Sequence, residues 1–157
     1  MEVSEWIAAG NLLAAVTSIV VNLVKRSPVT PAHDAWRGHV AERDRLERVL
    51  AALEELRNAA DRLVDDPGVS SQAAEAVLAA HERVRHEAET TSDAGIRRTV
   101  LDAAQRIAGA DELFAKLEPG RSENLEAHEK IASAFESAKQ PIERRLRELD
   151  RLITAGR

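Results

Sequence analysis

The hydrophobic positions of the chain recur at steps of three and four residues from residue 33 to the C-terminus, which is the period of α-helices. The two-residue alternation of a β-strand is not found. Breaks in the pattern at 65–68, 90–93 and 118–120 are rich in Pro, Gly, Ser, Thr and Asp. The sequence therefore predicts an all-α fold with four helices in this part of the chain.

Each predicted helix carries one apolar stripe with charged residues on its other face. The helices cover 33–64, 70 to about 89 with Ser70 or Ser71 as the cap, 94–117, and 122 to about 154 after a Ser122 cap. The stripes consist of Trp36, Val40, Leu46, Val49, Leu50, Leu53, Leu56, Ala60, Leu63 and Val64; Ala74, Val77, Leu78, Val84 and Ala88; Ile96, Val100, Leu101, Ala104, Ile107, Phe114 and Leu117; and Leu125, Ile131, Phe135, Ile142, Leu146, Leu149, Leu152 and Ile153.

The short connections favour antiparallel neighbours, so these helices are expected to form an antiparallel four-helix bundle or coiled coil. The first and last helices are each about 48 Å long, against roughly 30–36 Å for the middle two. We therefore expect the long pair to continue beyond the bundle. Gly109 and Pro141 interrupt their helices, and each is either a hinge or a static bend.

The N-terminal segment has a different pattern. Trp6 to Val24 is a stretch of 19 residues without a charge, and as a helix it would cover about 28 Å, close to the thickness of a bilayer's hydrocarbon core. This predicts a single transmembrane helix within residues 1–26. The alternative is a strongly apolar helix that packs on the domain behind it. A cleaved signal peptide is disfavoured because two acids, and no basic residue, precede the apolar run.

Lys25 and Arg26 follow the apolar run directly. The positive-inside rule then places the N-terminus outside the cell membrane and the rest of the chain in the cytoplasm. Residues 27–32 contain two prolines, which oppose helix and strand and indicate a linker. The predicted organisation is a membrane span at 1–26, a linker at 27–32 and a helical bundle at 33–157.

The predicted span has two faces. Small and polar residues on one face allow helix backbones to approach closely in lipid and to form hydrogen bonds there, which predicts a homo-oligomer. This association face consists of Gly10, Asn11, Ala14, Ser18 and Asn22. The residues assigned to contact with membrane lipid are Trp6, Leu12, Leu13, Val16, Ile19, Val20, Leu23 and Val24.

Charge is unevenly distributed along the chain. Residues 25–45 and 139–157 carry net charges of +2 and +3, whereas residues 46–138 carry −8. Antiparallel packing brings the two basic stretches to one end of the bundle, beside the predicted span, where arginine and lysine attract anionic headgroups. The basic residues assigned to the membrane surface are Lys25, Arg26, Arg144, Arg145, Arg147 and Arg151.

Candidate chemistry is sparse. The chain has no cysteine, 3% aromatic residues and a net charge of −5, which argues against a thiol nucleophile, a cysteine-ligated metal and a nucleic-acid partner. Motifs for a di-iron centre, a phosphate loop or a nucleophile elbow are missing. His128 lies near the last apolar stripe, as a packed or boundary residue or as a pH-sensitive one. We expect no catalytic residue, cofactor, metal or small-molecule substrate.

These patterns favour a membrane-anchored helical bundle that acts as a protein-interaction scaffold or signalling module with an unidentified protein partner. A second hypothesis is a membrane-active effector or pore former whose N-terminal helix inserts on a trigger, with Asn11, Ser18 and Asn22 lining a polar lumen. A third is a soluble assembly protein in which the first helix completes a five-helix core.

Overall fold

A computed structural model describes residues 31–65, 70–109 and 122–156. Four helices cover almost all of them: α1 (Pro31–Asp65), α2 (Ser70–Glu89), α3 (Ala94–Ala108) and α4 (Ser122–Ala155). The described ranges contain no β-strand. The prediction of an all-α fold is confirmed for this part of the chain.

Local chemistry explains several helix ends. α1 begins at Pro31, two residues before the predicted start, because a proline lacks only an N–H that has no partner in the first turn of a helix. α4 runs without interruption through Pro141. α3 ends at Ala108, and the N–H of Gly109 donates to the carbonyl oxygen of Gln105 at 2.6 Å.

Gly109 is therefore the C-cap of α3. A Cβ atom at this position would lie 2.7 Å from the backbone oxygen of Gln105, too close for a side chain without a shift of the backbone. The predicted continuation of this helix, with Phe114 and Leu117, lies outside the described residues.

Side-chain contacts fix the direction of neighbouring helices. From α1 to α4, Arg43 Nε lies 2.8 Å from Asp150 Oδ1, and the Arg57 guanidinium lies 5.0 Å from the centroid of the Phe135 ring. Residue numbers rise along α1 as they fall along α4, so the two helices are antiparallel.

The same holds for α1 and α2, where Arg48 pairs with Glu87 and Arg83 pairs with Glu55. α3 contacts both α2 and α4. The four helices therefore surround one core in sequential order, each beside the next and α4 beside α1. This confirms the predicted helical bundle.

The core lies on the inward stripes of all four helices. On α1 the buried positions Glu42, Leu46, Val49, Leu53, Leu56 and Ala60 recur in alternating steps of four and three, the spacing that keeps one side of a helix facing its neighbours. Phe135 of α4 is the largest fully buried side chain. The other large members are Ile107, Ile131, Ile142, Leu149, Val64, Val84 and Val100.

The long helices extend beyond the short ones. Arg48 of α1 is level with Glu87, close to the C-terminal end of α2, so residues 36–45 of α1 have only α4 as a regular neighbour among the described helices. We call residues 36–45 and 147–156 the two-helix section. A Cβ atom on Gly156 would lie 3.3 Å from Trp36 Cδ1, so the C-terminal end of α4 packs closely on α1.

None of the helices in the described ranges combines the length and the apolar character that crossing a bilayer demands. The predicted span from Trp6 to Val24 lies outside those ranges, together with its association face, the basic pair Lys25 and Arg26, and the first residues of the predicted linker.

Candidate functional site

A histidine of α4 bridges two carboxylates of α1. His128 Nδ1 lies 2.9 Å from Asp61 Oδ1, and Nε2 lies 3.1 Å from Asp65 Oδ1. The two aspartates are four residues apart, so they project from the same face of α1. The His128 ring is about one third exposed, which leaves it open to proton exchange with solvent. We call these three residues the His128 clasp.

The protonation state of His128 follows from this geometry. A neutral imidazole has one N–H, whereas an imidazolium has two and satisfies both carboxylates at once. The hydrogen bond to Asp61 is the main factor that raises the pKa of His128 above its usual value; burial opposes it, and the bond to Asp65 adds to it. Folding therefore shifts the protonation equilibrium of His128 toward the charged form.

The clasp belongs to a longer polar network on the seam between α1 and α4. Arg57 Nε lies 3.5 Å from Asp61 Oδ2, and the same guanidinium stacks over Phe135. Lys139 Nζ lies 5.7 Å from that ring on the α4 side. Such cation–π contacts contribute about 0.5–1 kcal/mol at exposed sites, so the network fixes how the helices pair more than it adds stability.

Of the four arginines of α4 that the sequence assigns to the membrane surface, two have an acidic partner and two have none in the described residues. Arg145 Nη1 lies 3.0 Å from Glu148, and Arg147 Nη1 lies 3.9 Å from Glu143. Arg144 and Arg151 are exposed and have no acidic partner within the described ranges. They are seven residues apart, two helical turns, and therefore share a face of α4.

Two buried polar groups lie where the four-helix part gives way to the two-helix section. Glu42 is 6% exposed; its Oε2 is 3.4 Å from Arg45, and its Oε1 has no hydrogen-bond partner among the described residues. Thr91, in the turn between α2 and α3, is 2% exposed, and its hydroxyl likewise lacks a partner there. These groups cost stability, and no nucleophile or proton relay is assembled around them in the described residues.

A groove with a volume of about 690 Å³ lies between α3 and α4. Its cations are already paired: Lys130 with Glu126 at 2.6 Å and Arg106 with Asp102 at 2.8 Å. The described ranges contain no cluster of three His, Asp or Glu side chains arranged to hold a metal ion. Nothing in the groove selects a particular ligand.

Sequence reasoning placed His128 near the apolar stripe but did not find its partners. Asp61 and Asp65 are 67 and 63 residues away, and their proximity depends on the register between two helices. The one signal in the sequence is the spacing of the two aspartates on one face of the first long helix.

Comparison with known proteins gives no match: no protein family fits the chain, and neither a curated protein nor a solved structure is significantly similar to it.

Proposed function

We propose that this protein is a membrane-anchored interaction module, in which the apolar segment from Trp6 to Val24 is a single-pass anchor and the helical bundle binds a partner protein on the cytoplasmic side. The association face at Gly10, Ala14 and Ser18 joins copies of the chain within the membrane. The observation that carries the proposal is the position of Arg144 and Arg151, exposed and without acidic partners on one face of α4.

The distribution of uncompensated charge supports this orientation. Arg37 of α1 is also exposed and has no acidic partner in the described part of the chain, and it lies in the two-helix section, as Arg151 does. The exposed acids without a cationic partner in the described ranges are Asp34, in the first turn of α1, and Glu54, Glu75 and Glu129, farther along the bundle. Within the two-helix section, Arg37 and Arg151 are exposed without an acidic partner, whereas each exposed acid is paired with an arginine. This excess of positive charge would direct the section toward anionic headgroups.

The described surface supports binding through helix faces rather than through a pocket. Its ion pairs between helices, such as Arg43 with Asp150 and Arg83 with Glu55, stabilise the bundle itself. The exposed large hydrophobic side chains of the described ranges are Leu78 on α2 and Leu125 and Leu152 near opposite ends of α4. Recognition by side chains along a helix is the mode that such a surface offers.

Membrane fractionation tests the anchor directly. We expect the full-length chain to stay in the membrane fraction after a carbonate wash, and a variant that lacks residues 1–26 to appear in the supernatant. A full-length chain that is soluble and monomeric, and that permeabilises liposomes only after a trigger, would contradict the proposal and support a stored effector.

Vesicle binding tests the basic surface. In the variant that lacks residues 1–26, replacing both Arg144 and Arg151 by Gln is expected to weaken binding to phosphatidylserine-containing vesicles by up to roughly thirtyfold, since each arginine near the surface contributes about 1 kcal/mol at most. Co-sedimentation measures the change.

Arg62 supplies the control for this experiment, because it is also an exposed arginine without an acidic partner in the described residues and lies at the other end of α1. Arg62→Gln should leave vesicle binding unchanged. An equal loss in the Arg62 variant, or equal binding to phosphatidylcholine vesicles, would show that the basic end has no specific role.

A further inference from the structure

We infer that the His128 clasp is a pH-sensitive latch: it holds the N-terminal turns of α4 on the last turns of α1 while the imidazole is charged, and it releases them as the ring loses its proton. This inference goes beyond the proposed function and does not depend on it.

The clasp lies at the end of the bundle where α1 ends and α4 begins, so its hydrogen bonds act on that end. Asp61 and Asp65 belong to the last turns of α1, and His128 lies in the second turn of α4. Toward the middle of the bundle, the next polar contact between these helices is that of Arg57 with Phe135, two helical turns along α4. The two hydrogen bonds of His128 therefore hold the first turns of α4 against α1.

The charged groups around His128 favour its protonation. Asp61 and Asp65 face it from α1, and the Arg57 guanidinium reaches Asp61 from the other side at 3.5 Å. On α4 itself, Glu126 pairs with Lys130. In the described parts of α2 and α3, no charged side chain forms an ion pair with His128. With two carboxylates and one arginine close to it, His128 lies in surroundings of net negative charge.

Deprotonation removes more than a charge. A neutral ring keeps one N–H, so one aspartate loses its donor and faces a nitrogen lone pair instead. Because hydrogen bonding to Asp61 and Asp65 raises the pKa of His128 in the folded state, the clasp contributes its full stability below the usual pKa of histidine. That contribution is lost as the pH rises through the raised value.

Release of the clasp exposes apolar surface. Ala127 lies next to His128 and is fully buried, as is Val64 on the α1 side. When the first turns of α4 separate from α1, these side chains meet solvent while the core around Phe135 stays closed. The expected open form is therefore local and reversible.

Amide hydrogen exchange across the neutral range tests the latch. With protection factors corrected for intrinsic exchange rates, residues 125–131 should open about two- to fivefold more often above the folded pKa of His128 than below it, the size expected for a partly exposed ion pair. The amides around Ile142 should not change. Nitrogen chemical shifts of the His128 ring should show a pKa above the usual value of histidine.

Three variants separate the latch from a general effect of pH. His128→Gln should abolish the pH step in residues 125–131, and His86→Gln, in which an exposed histidine of α2 is replaced, should retain it. Asp65→Asn changes a side chain that is 71% exposed, so folding should be unaffected while the step becomes smaller.

The inference is overturned if the pKa of His128 is not above the usual value of histidine, if the protection of residues 125–131 is independent of pH, or if His128→Gln retains the step. Should His128→Gln fail to fold, the Asp65→Asn comparison decides: an unchanged step refutes the latch, and a smaller one supports it.

Discussion

Thr91 is a residue whose hydroxyl weakens the fold. It is almost fully buried in the turn between α2 and α3, and although its backbone N–H donates to Ala88 at 3.1 Å, its Oγ1 has no partner in the described residues. Leaving a buried hydroxyl unpaired costs about 1–3 kcal/mol. Thr91→Val is therefore expected to raise the free energy of unfolding by about 1 kcal/mol, measured by urea denaturation.

Thr99 provides the comparison for this substitution. Its hydroxyl donates to the carbonyl oxygen of Gly95 at 3.0 Å, so Thr99→Val removes a hydrogen bond that is made and should be neutral or slightly destabilising. A loss of stability in Thr91→Val as large as or larger than that in Thr99→Val would mean that the Thr91 hydroxyl has a partner in solution.

At the residue scale, the sequence predicts roles that depend on neighbours along the chain and misses those that depend on register. The turn and cap at 90–93 could be predicted because Asp93 caps residues only two and three positions away. The partners of His128, and the stacking of Arg57 on Phe135, arise from two helices far apart in sequence. A shift of one residue between those helices would rearrange both sets of contacts.

At the scale of the element, α3 depends most on its cap, since it is the shortest of the four helices. Asp93 Oδ1 accepts hydrogen bonds from the N–H groups of Gly95 and Ile96 at 2.8 and 3.0 Å. We expect Asp93→Ala to lower the free energy of unfolding by about 1 kcal/mol, because two N–H groups of the first turn lose their acceptor.

Asp93→Asn keeps an acceptor oxygen at the same place and should retain most of the stability in the same denaturation experiment. If the alanine and asparagine variants are equally stable, the cap contributes nothing and α3 is held by the packing of Ile96 and Val100 alone.

The extents of the helices show what a periodic pattern can specify. The apolar stripes predict the presence of all four described helices and most of their buried positions, because burial imposes a 3.6-residue period. Ala74, Leu78, Leu125 and Leu152 are members of the predicted stripes and are exposed. The pattern does not predict the end of α3, because the apolar positions continue past Gly109 whereas the helix ends at Ala108. Pro141 is the reverse case, because proline disfavours a helix interior and yet lies within the continuous helix α4. Ala138 and Ile142, on either side of it, are fully buried. Tertiary packing therefore outweighs local propensity at this position.

At the scale of the whole molecule, the described helices enclose a core of their own. Leu46, Leu53, Ile107 and Ile131 are fully or almost fully buried, and they belong to one cluster of buried residues drawn from the described helices. We therefore expect a variant that lacks residues 1–26 to be soluble and helical and to unfold in one cooperative transition, followed by circular dichroism during heating.

A five-helix core makes the opposite prediction for that variant. If the apolar segment completes the core, its deletion leaves a broad, non-cooperative transition and exposed apolar surface that binds a hydrophobic dye. The proposed membrane location and orientation rest on the sequence pattern of residues 1–26, which lie outside the described residues.

The packing of Trp36 against Gly156 gives the molecule an internal optical reporter. The chain contains two tryptophans and no tyrosine, so in the variant that lacks residues 1–26 nearly all intrinsic emission comes from the one indole on α1. The emission wavelength of Trp36 reports on the two-helix section, whereas the helical ellipticity reports on all four helices. A red shift that precedes the loss of ellipticity would show the two-helix section separating while the rest of the bundle is still intact.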